Sequence, residues 1–104
     1  MELTVGNRLR LLNILPQKGN IVTLKIVDEA RKKLALSAEE IEKFNVEIKA
    51  DRATWDEKAL PVDIELDAII EEMIRQKLEL LNQEDALTIY DVELWKLYVE
   101  GKIL

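Results

Sequence analysis

Apolar residues recur at intervals of three and four over most of this chain and change to alternation only between residues 46 and 66. A helix of 3.6 residues per turn and a pleated strand of period two cannot bury the same pattern. The change of period therefore separates helical flanks from a short β-forming middle. Val5, Leu9 and Leu12, with Leu11 and Leu15 alongside, predict a first helix that Thr4 or Asn7 caps and Pro16 ends. After the Gln17-Lys18-Gly19-Asn20 turn, Val22, Ile26, Ala30 and Leu34 fall every four residues, and Leu24 and Val27 widen the stripe of a second helix. Arg31, Lys32 and Lys33 occupy its last turn, where cations suit the helix dipole. Ser37-Ala38-Glu39-Glu40 is a capping box, which predicts a short third helix to about Asn45 with Ile41 and Phe44 facing inward.

In the middle, Val46, Ile48 and Ala50 alternate with Glu47 and Lys49, predicting a strand over 46–50 and a return strand over 53–56 around Asp51-Arg52. Pro61 breaks the chain, and Val62, Ile64 and Leu66 alternate with Asp63, Glu65 and Asp67, predicting a strand over 62–66 that leads into Asp67 as a helix cap. Ile70, Met73, Ile74, Leu78 and Leu81 form the stripe of a longer helix, with Glu71, Arg75 and Glu79 spaced for ion pairs. Thr88-Ile89-Tyr90-Asp91 resembles a second capping box. The helix after it carries Val92, Trp95 and Val99 on one side and Leu94, Leu97 and Tyr98 on others. Apolar residues on several faces imply burial on both sides or a surface used for association. The expected fold is α+β, about five helices around a small antiparallel sheet made of a hairpin near 46–56 and a strand near 62–66.

With 104 residues the chain is expected to form one domain over 1–104, burying roughly 65% of its unfolded surface. Apolar residues at 48% and charged residues at 35% fit a folded globule. No apolar run exceeds the three residues of Leu34-Ala35-Leu36 or Ala68-Ile69-Ile70, so neither a membrane span nor a secretory segment is expected. Histidine and cysteine are both absent. That removes the commonest general base, the commonest transition-metal ligands and the best nucleophile, and it fits a reducing compartment. Ser37 serves as a cap, and glycines 6, 19 and 101 make no phosphate loop. Asp63, Glu65, Asp67, Glu71 and Glu72 are the one constellation suited to a hard cation, but they lack a calcium-binding loop and read as a solvated face. No enzyme activity, cofactor or metal is expected.

Charge is unevenly distributed. Residues 1–36 hold seven Lys and Arg against three Asp and Glu, a net of +4, whereas residues 37–104 carry −10 within a total of −6. Such asymmetry predicts either complementarity between packed elements or a basic face for an acidic partner. The order helix, helix, short helix, hairpin is that of a winged helix, which makes a DNA-binding regulator the alternative reading, with Arg8, Arg10, Lys18 and Lys25 as its basic patch. Against it, the reading helix would carry Glu39, Glu40 and Glu42 against Lys43, the wrong sign for phosphate. Neither nucleic acid nor a membrane is the expected partner.

The run from Leu9 through Asn13-Ile14-Leu15-Pro16 to Asn20, continuing through Thr23-Leu24-Lys25-Ile26-Val27 to Ile41, resembles small uncharacterised accessory proteins of tailed bacteriophages and prophages. The closing Leu94, Leu97 and Tyr98 are compatible with that group. The resemblance implies a bacterial host cytoplasm and brings no activity with it. The expected function is a non-enzymatic accessory protein that binds another protein, a host factor or virion component, or a second copy of itself. Leu94, Trp95, Leu97, Tyr98 and Trp55 are the expected contact residues.

Overall fold

The computed structural model describes residues 1–50, 52–56 and 59–102, so Asp51 of the expected hairpin turn lies outside the described residues. Its first element is a two-residue strand, β1 (Glu2–Leu3), which precedes α1 (Val5–Ile14). Thr4 and Asn7 start α1 together: the Asn7 amide donates to the Thr4 hydroxyl at 3.1 Å, and the Thr4 amide donates to the Asn7 side chain at 3.1 Å. The helix stops before Pro16, which holds Leu15 at ψ 142°. Asn20 caps α2 (Ile21–Leu34) by accepting from the Thr23 amide at 2.9 Å.

The two helices cap one another's carboxyl ends. Arg31 of α2 donates to the Leu12 carbonyl at 2.8 Å, and Arg8 of α1 donates to the Leu34 and Ala35 carbonyls at 3.0 and 2.7 Å. A helix end leaves carbonyls without intrahelical partners, and a guanidinium answers both their hydrogen-bonding and the negative end of the dipole. Arg8 is only 3% exposed, and it also grips both carboxylate oxygens of Glu40 at 2.5 and 3.0 Å. Glu40 belongs to the capping box of α3 (Ala38–Lys43), where it accepts from the Ser37 amide while Ser37 accepts from its own. One side chain thus ties α1, the end of α2 and the start of α3.

Helix α3 ends at Asn45, whose φ of 51° places it in the left-handed region. The Val46 amide returns to the Ile41 carbonyl at 2.9 Å and the Asn45 amide to Glu42 at 3.3 Å, the pair of bonds that closes a helix on a left-handed residue. This closure resets the direction of the strand that follows. Val46 is buried, but Ile48 and Ala50 are exposed, so the expected inward face of 46, 48 and 50 does not form. Ile41 is likewise exposed and Phe44 half-buried; no residue of α3 is buried.

Strands β2 (Glu47–Ile48) and β3 (Ala53–Thr54) pair antiparallel, Glu47 opposite Thr54 and Ile48 opposite Ala53. Strand β4 (Val62–Asp63) does not join them. It pairs antiparallel with β1, Leu3 opposite Val62 and Glu2 opposite Asp63, and the Ile64 amide extends the ladder to the Met1 carbonyl at 2.9 Å. The expected single sheet is therefore two separate two-stranded ladders. Two residues are too few to show an alternation, which is why β1 leaves no periodic signal in the sequence.

Asp67 caps α4 (Ala68–Gln83) by accepting from the Ile69 amide at 3.1 Å, and Ile70, Ile74 and Leu78 are buried along one face. A second left-handed closure at Asp85, φ 54°, ends that helix. A 3-10 turn over Ile89–Asp91 leads into α5 (Val92–Tyr98), and a second 3-10 turn covers Glu100–Lys102. The core draws Leu3 from β1, Leu11, Ile14 and Leu15 from α1 and its end, Val27, Ala30 and Leu34 from α2, Ile64, the α4 face, and Leu94, Tyr98 and Val99. Val22, the first member of the α2 stripe, is instead exposed beside Ile21. The α2 helix runs past the edge of the core by its first turn.

The segment of α3, β2 and β3 contributes nothing to this core and is fixed from outside it. Besides the Arg8–Glu40 pair, Trp55 lies over α1 at Gly6, where a Cβ would stand 3.1 Å from the indole Cζ2. A glycine inside a helix costs about 1 kcal/mol relative to alanine, and here it leaves room for the ring.

Arg8→Ala removes a buried cation and leaves two carbonyls and Glu40 without their partner, so urea denaturation is expected to show a loss of roughly 3 kcal/mol. Arg8 holds Glu40 from its ordinary 4.5 down to about 2. The stability contributed by that depressed carboxyl is complete above 4.5 and declines as pH falls toward 2, and Arg8→Ala should erase this part of the acid limb. Gly6→Ala gains about 1 kcal/mol of helix propensity but pushes the indole outward; a red shift of Trp55 emission without a gain in stability is the expected result.

Candidate functional site

The last helix has a core face and an outer face. Asp91, Leu94 and Tyr98 lie at three- and four-residue spacing and are all buried; burial, helped by the negative charge of Glu71, pushes the Tyr98 hydroxyl up to about 12. Leu94 and Tyr98 are therefore core residues, and the expectation that they contact a partner is corrected: they are 0% and 1% exposed, inside the same buried cluster as the apolar residues of α1, α2 and α4. Leu97 is half-buried against the same core. Trp95 is half-buried too, with part of its ring lining a groove outside. Trp55 is partly exposed, on the hairpin segment over Gly6.

The outer face holds the apolar residues that the expected contact set omits. Ile89 is 78% exposed, Tyr90 77%, and Val92 projects beside them. Next to these lies a groove of about 340 Å³ between the end of α4 and α5, lined by Asn82, Leu87, Thr88, Val92, Trp95 and Lys96 among others. Ile89 and Tyr90 were hidden in the sequence by their place inside a capping motif. That motif itself carries a signal, because Thr88 and Asp91 turn toward each other and the two residues between them are left on the outside.

This exposed pair sits on a firmly held turn. The Asp91 carboxylate, 0% exposed, accepts from Arg10 Nε at 2.5 Å and from a terminal guanidinium nitrogen at 3.0 Å. It also accepts from the Thr88 amide at 2.9 Å and the Thr88 hydroxyl at 3.1 Å. Burial works to raise its pKa, but the charge of Arg10 and the Thr88 donors outweigh burial and hold it below the ordinary carboxylate value. Asn7 adds a contact from α1 to Glu93 on α5 at 3.3 Å. The turn is thus bolted to α1 by an ion pair whose acid is buried.

The same pairs dissolve the expected basic patch. Arg8 and Arg10 face Glu40 and Asp91 inside the fold, while Lys18 is exposed on the turn before α2 and Lys25 is exposed on α2. Lys25 lines a groove of about 300 Å³ between α2 and α4 together with Glu29, Lys33 and Asp67. Of the acidic residues expected to form a solvated face, Asp63, Glu65 and Asp67 are exposed as expected, and each also has a partner. Asp63 and Glu65 meet the terminal ammonium at 2.6 and 3.2 Å, Asp67 caps α4, and Glu72 pairs with Arg75. Among the described residues no group of three or more acidic side chains is arranged to hold a metal ion. No helix of the described residues is long and apolar enough to cross a membrane.

Comparison with protein families, with curated proteins and with solved structures finds no match to this chain. Asp91→Asn keeps the shape of the side chain and deletes the charge that Arg10 faces. The expected outcome is a loss of about 3 kcal/mol in urea denaturation, together with faster hydrogen exchange at the amides of residues 91–95.

Proposed function

We propose that this chain is a non-enzymatic accessory protein that binds another protein through the exposed 3-10 turn that opens its last helix. The supporting observation is the pairing of a buried ionic anchor with an apolar display: Asp91 is fully buried, and Ile89 and Tyr90 beside it are among the most exposed large side chains of the molecule. Leaving such residues in water forgoes about 1.5–3 kcal/mol of burial each, and that free energy is recovered on contact with a partner. Tyrosine suits such a contact, since it offers a large amphipathic surface with few rotatable bonds to immobilise.

The chain has neither imidazole nor thiol. The resemblance of residues 9–41 to phage and prophage accessory proteins supports a setting in a bacterial host during infection, with a host factor or a virion component as partner. A winged-helix regulator is the weaker reading, because two of its four proposed cations are neutralised within the fold.

Ile89→Ala with Tyr90→Ala tests the surface. Both residues are solvent-facing, so the melting temperature of the double variant should stay within about 2 °C of the parent. A stoichiometric protein recovered with the parent from bacterial lysate should be lost with this variant. Undiminished recovery, with light scattering unchanged, would falsify the assignment of this face.

A further inference from the structure

Residues 37–56 stand apart from the core. Among the described residues, neither the buried cluster nor the half-buried side chains packed on it include any member of this segment. Within itself the segment is closed. Ser37 and Glu40 box the start of α3, and the Phe44 and Val46 amides donate to the Glu40 and Ile41 carbonyls, each at 2.9 Å. The Lys49 amide crosses the hairpin to the Arg52 carbonyl at 2.7 Å, and the Asp56 amide returns to the Phe44 carbonyl at 2.7 Å. This last bond ties the end of the hairpin to the end of α3, so helix and hairpin make one piece.

That piece meets α1 through the Arg8–Glu40 pair and through Trp55 over Gly6. The Arg8 guanidinium also holds the Leu34 and Ala35 carbonyls, which lie before Ser37 in the chain. The junction of α1 with α2 therefore keeps its own hydrogen bonds when Glu40 departs, and Leu36 separates the clamped Ala35 from the cap of α3. We infer that residues 37–56 are a strap that lifts off α1 as a unit while α1, α2, α4 and α5 stay packed, with Arg8–Glu40 as its latch. The inference does not rest on the proposed binding face. Lifting turns one edge of the Arg8 guanidinium and the α1 surface at Gly6 to water. It costs the latch and the Trp55 contact but none of the core, and α3 has no buried residue to expose.

Native-state hydrogen exchange in urea, below the unfolding transition, reads this opening. The amides of Phe44, Val46, Lys49 and Asp56 should share one opening free energy with a shallow urea dependence, and those of Ile74 and Leu78 in α4 should show a higher one with a steep dependence. Ile74→Val trims one methyl group from the core. It should speed exchange in the middle of α4 roughly fivefold and leave the four strap amides within about twofold, since lifting the strap keeps the core intact. Glu40→Gln preserves the capping box and removes the charge that faces Arg8, so the strap amides should exchange roughly tenfold faster. Glu47→Gln, exposed on β2, should leave them within about twofold.

Equal acceleration of the strap and of α4 by Ile74→Val would mean that the segment opens only with the whole molecule, and would overturn the inference. Separate opening free energies for α3 and for the β2–β3 ladder would deny that they lift as a unit. Unchanged strap exchange in Glu40→Gln would deny the latch. Either of these results overturns the inference as well, and none of them bears on the face that carries Ile89 and Tyr90.

Discussion

The guanidinium of Arg8 meets the last carbonyls of α2 and the carboxylate that opens α3, and it does so from inside α1 with almost no contact with water. A buried cation is tolerable only when its donors are answered, and here carbonyls and a carboxylate answer them together. The planar fork of arginine is what allows three segments to be held by one residue; a lysine ammonium has no such geometry. Packing of α1 on α2 contributes to the core, and the same side chain fixes the start of α3.

Two kinds of attachment therefore coexist in this small protein. The helices α1, α2, α4 and α5 share an apolar core in which Leu11, Leu34, Ile74, Leu78 and Leu94 are wholly enclosed. The segment 37–56 shares only its edge, through Glu40 and Trp55, and Val46 is its buried hydrophobic residue among those described. Few buried apolar contacts and a two-stranded ladder are the physical signs of a unit that opens at lower free energy than the core. The opposite signs of the first third and the rest of the chain are explained at the same time. Arg8–Glu40 and Arg10–Asp91 cross that division, so part of the asymmetry is complementarity within the fold.

The same principle shapes the candidate site. An ion pair that burial makes costly is used at Asp91 to hold a turn whose outward residues add nothing to the core. Rigidity of this kind reduces the entropy lost when a partner docks, which is the usual advantage of a preformed surface. The proposed association surface leaves out the buried Leu94 and Tyr98 and draws on Ile89 and Tyr90 of the 3-10 turn and Val92 at the start of α5.

Local chemistry was legible in the sequence, and it decided where elements begin and end. Thr4, Asn20, Ser37 and Asp67 cap the helices as their side-chain types require, Pro16 ends the first, and the stripe Ile70, Ile74 and Leu78 faces the core, because capping and periodicity act within a few residues of chain. Tertiary structure alone decided which faces were used. It paired β4 with the two-residue β1, left Val22, Ile41 and Ile48 in water, set Arg8 and Arg10 against acids 32 and 81 residues away, and chose between the two apolar sides of α5. Those outcomes depend on which distant surfaces meet, and a pattern that repeats every two or four residues holds no record of them.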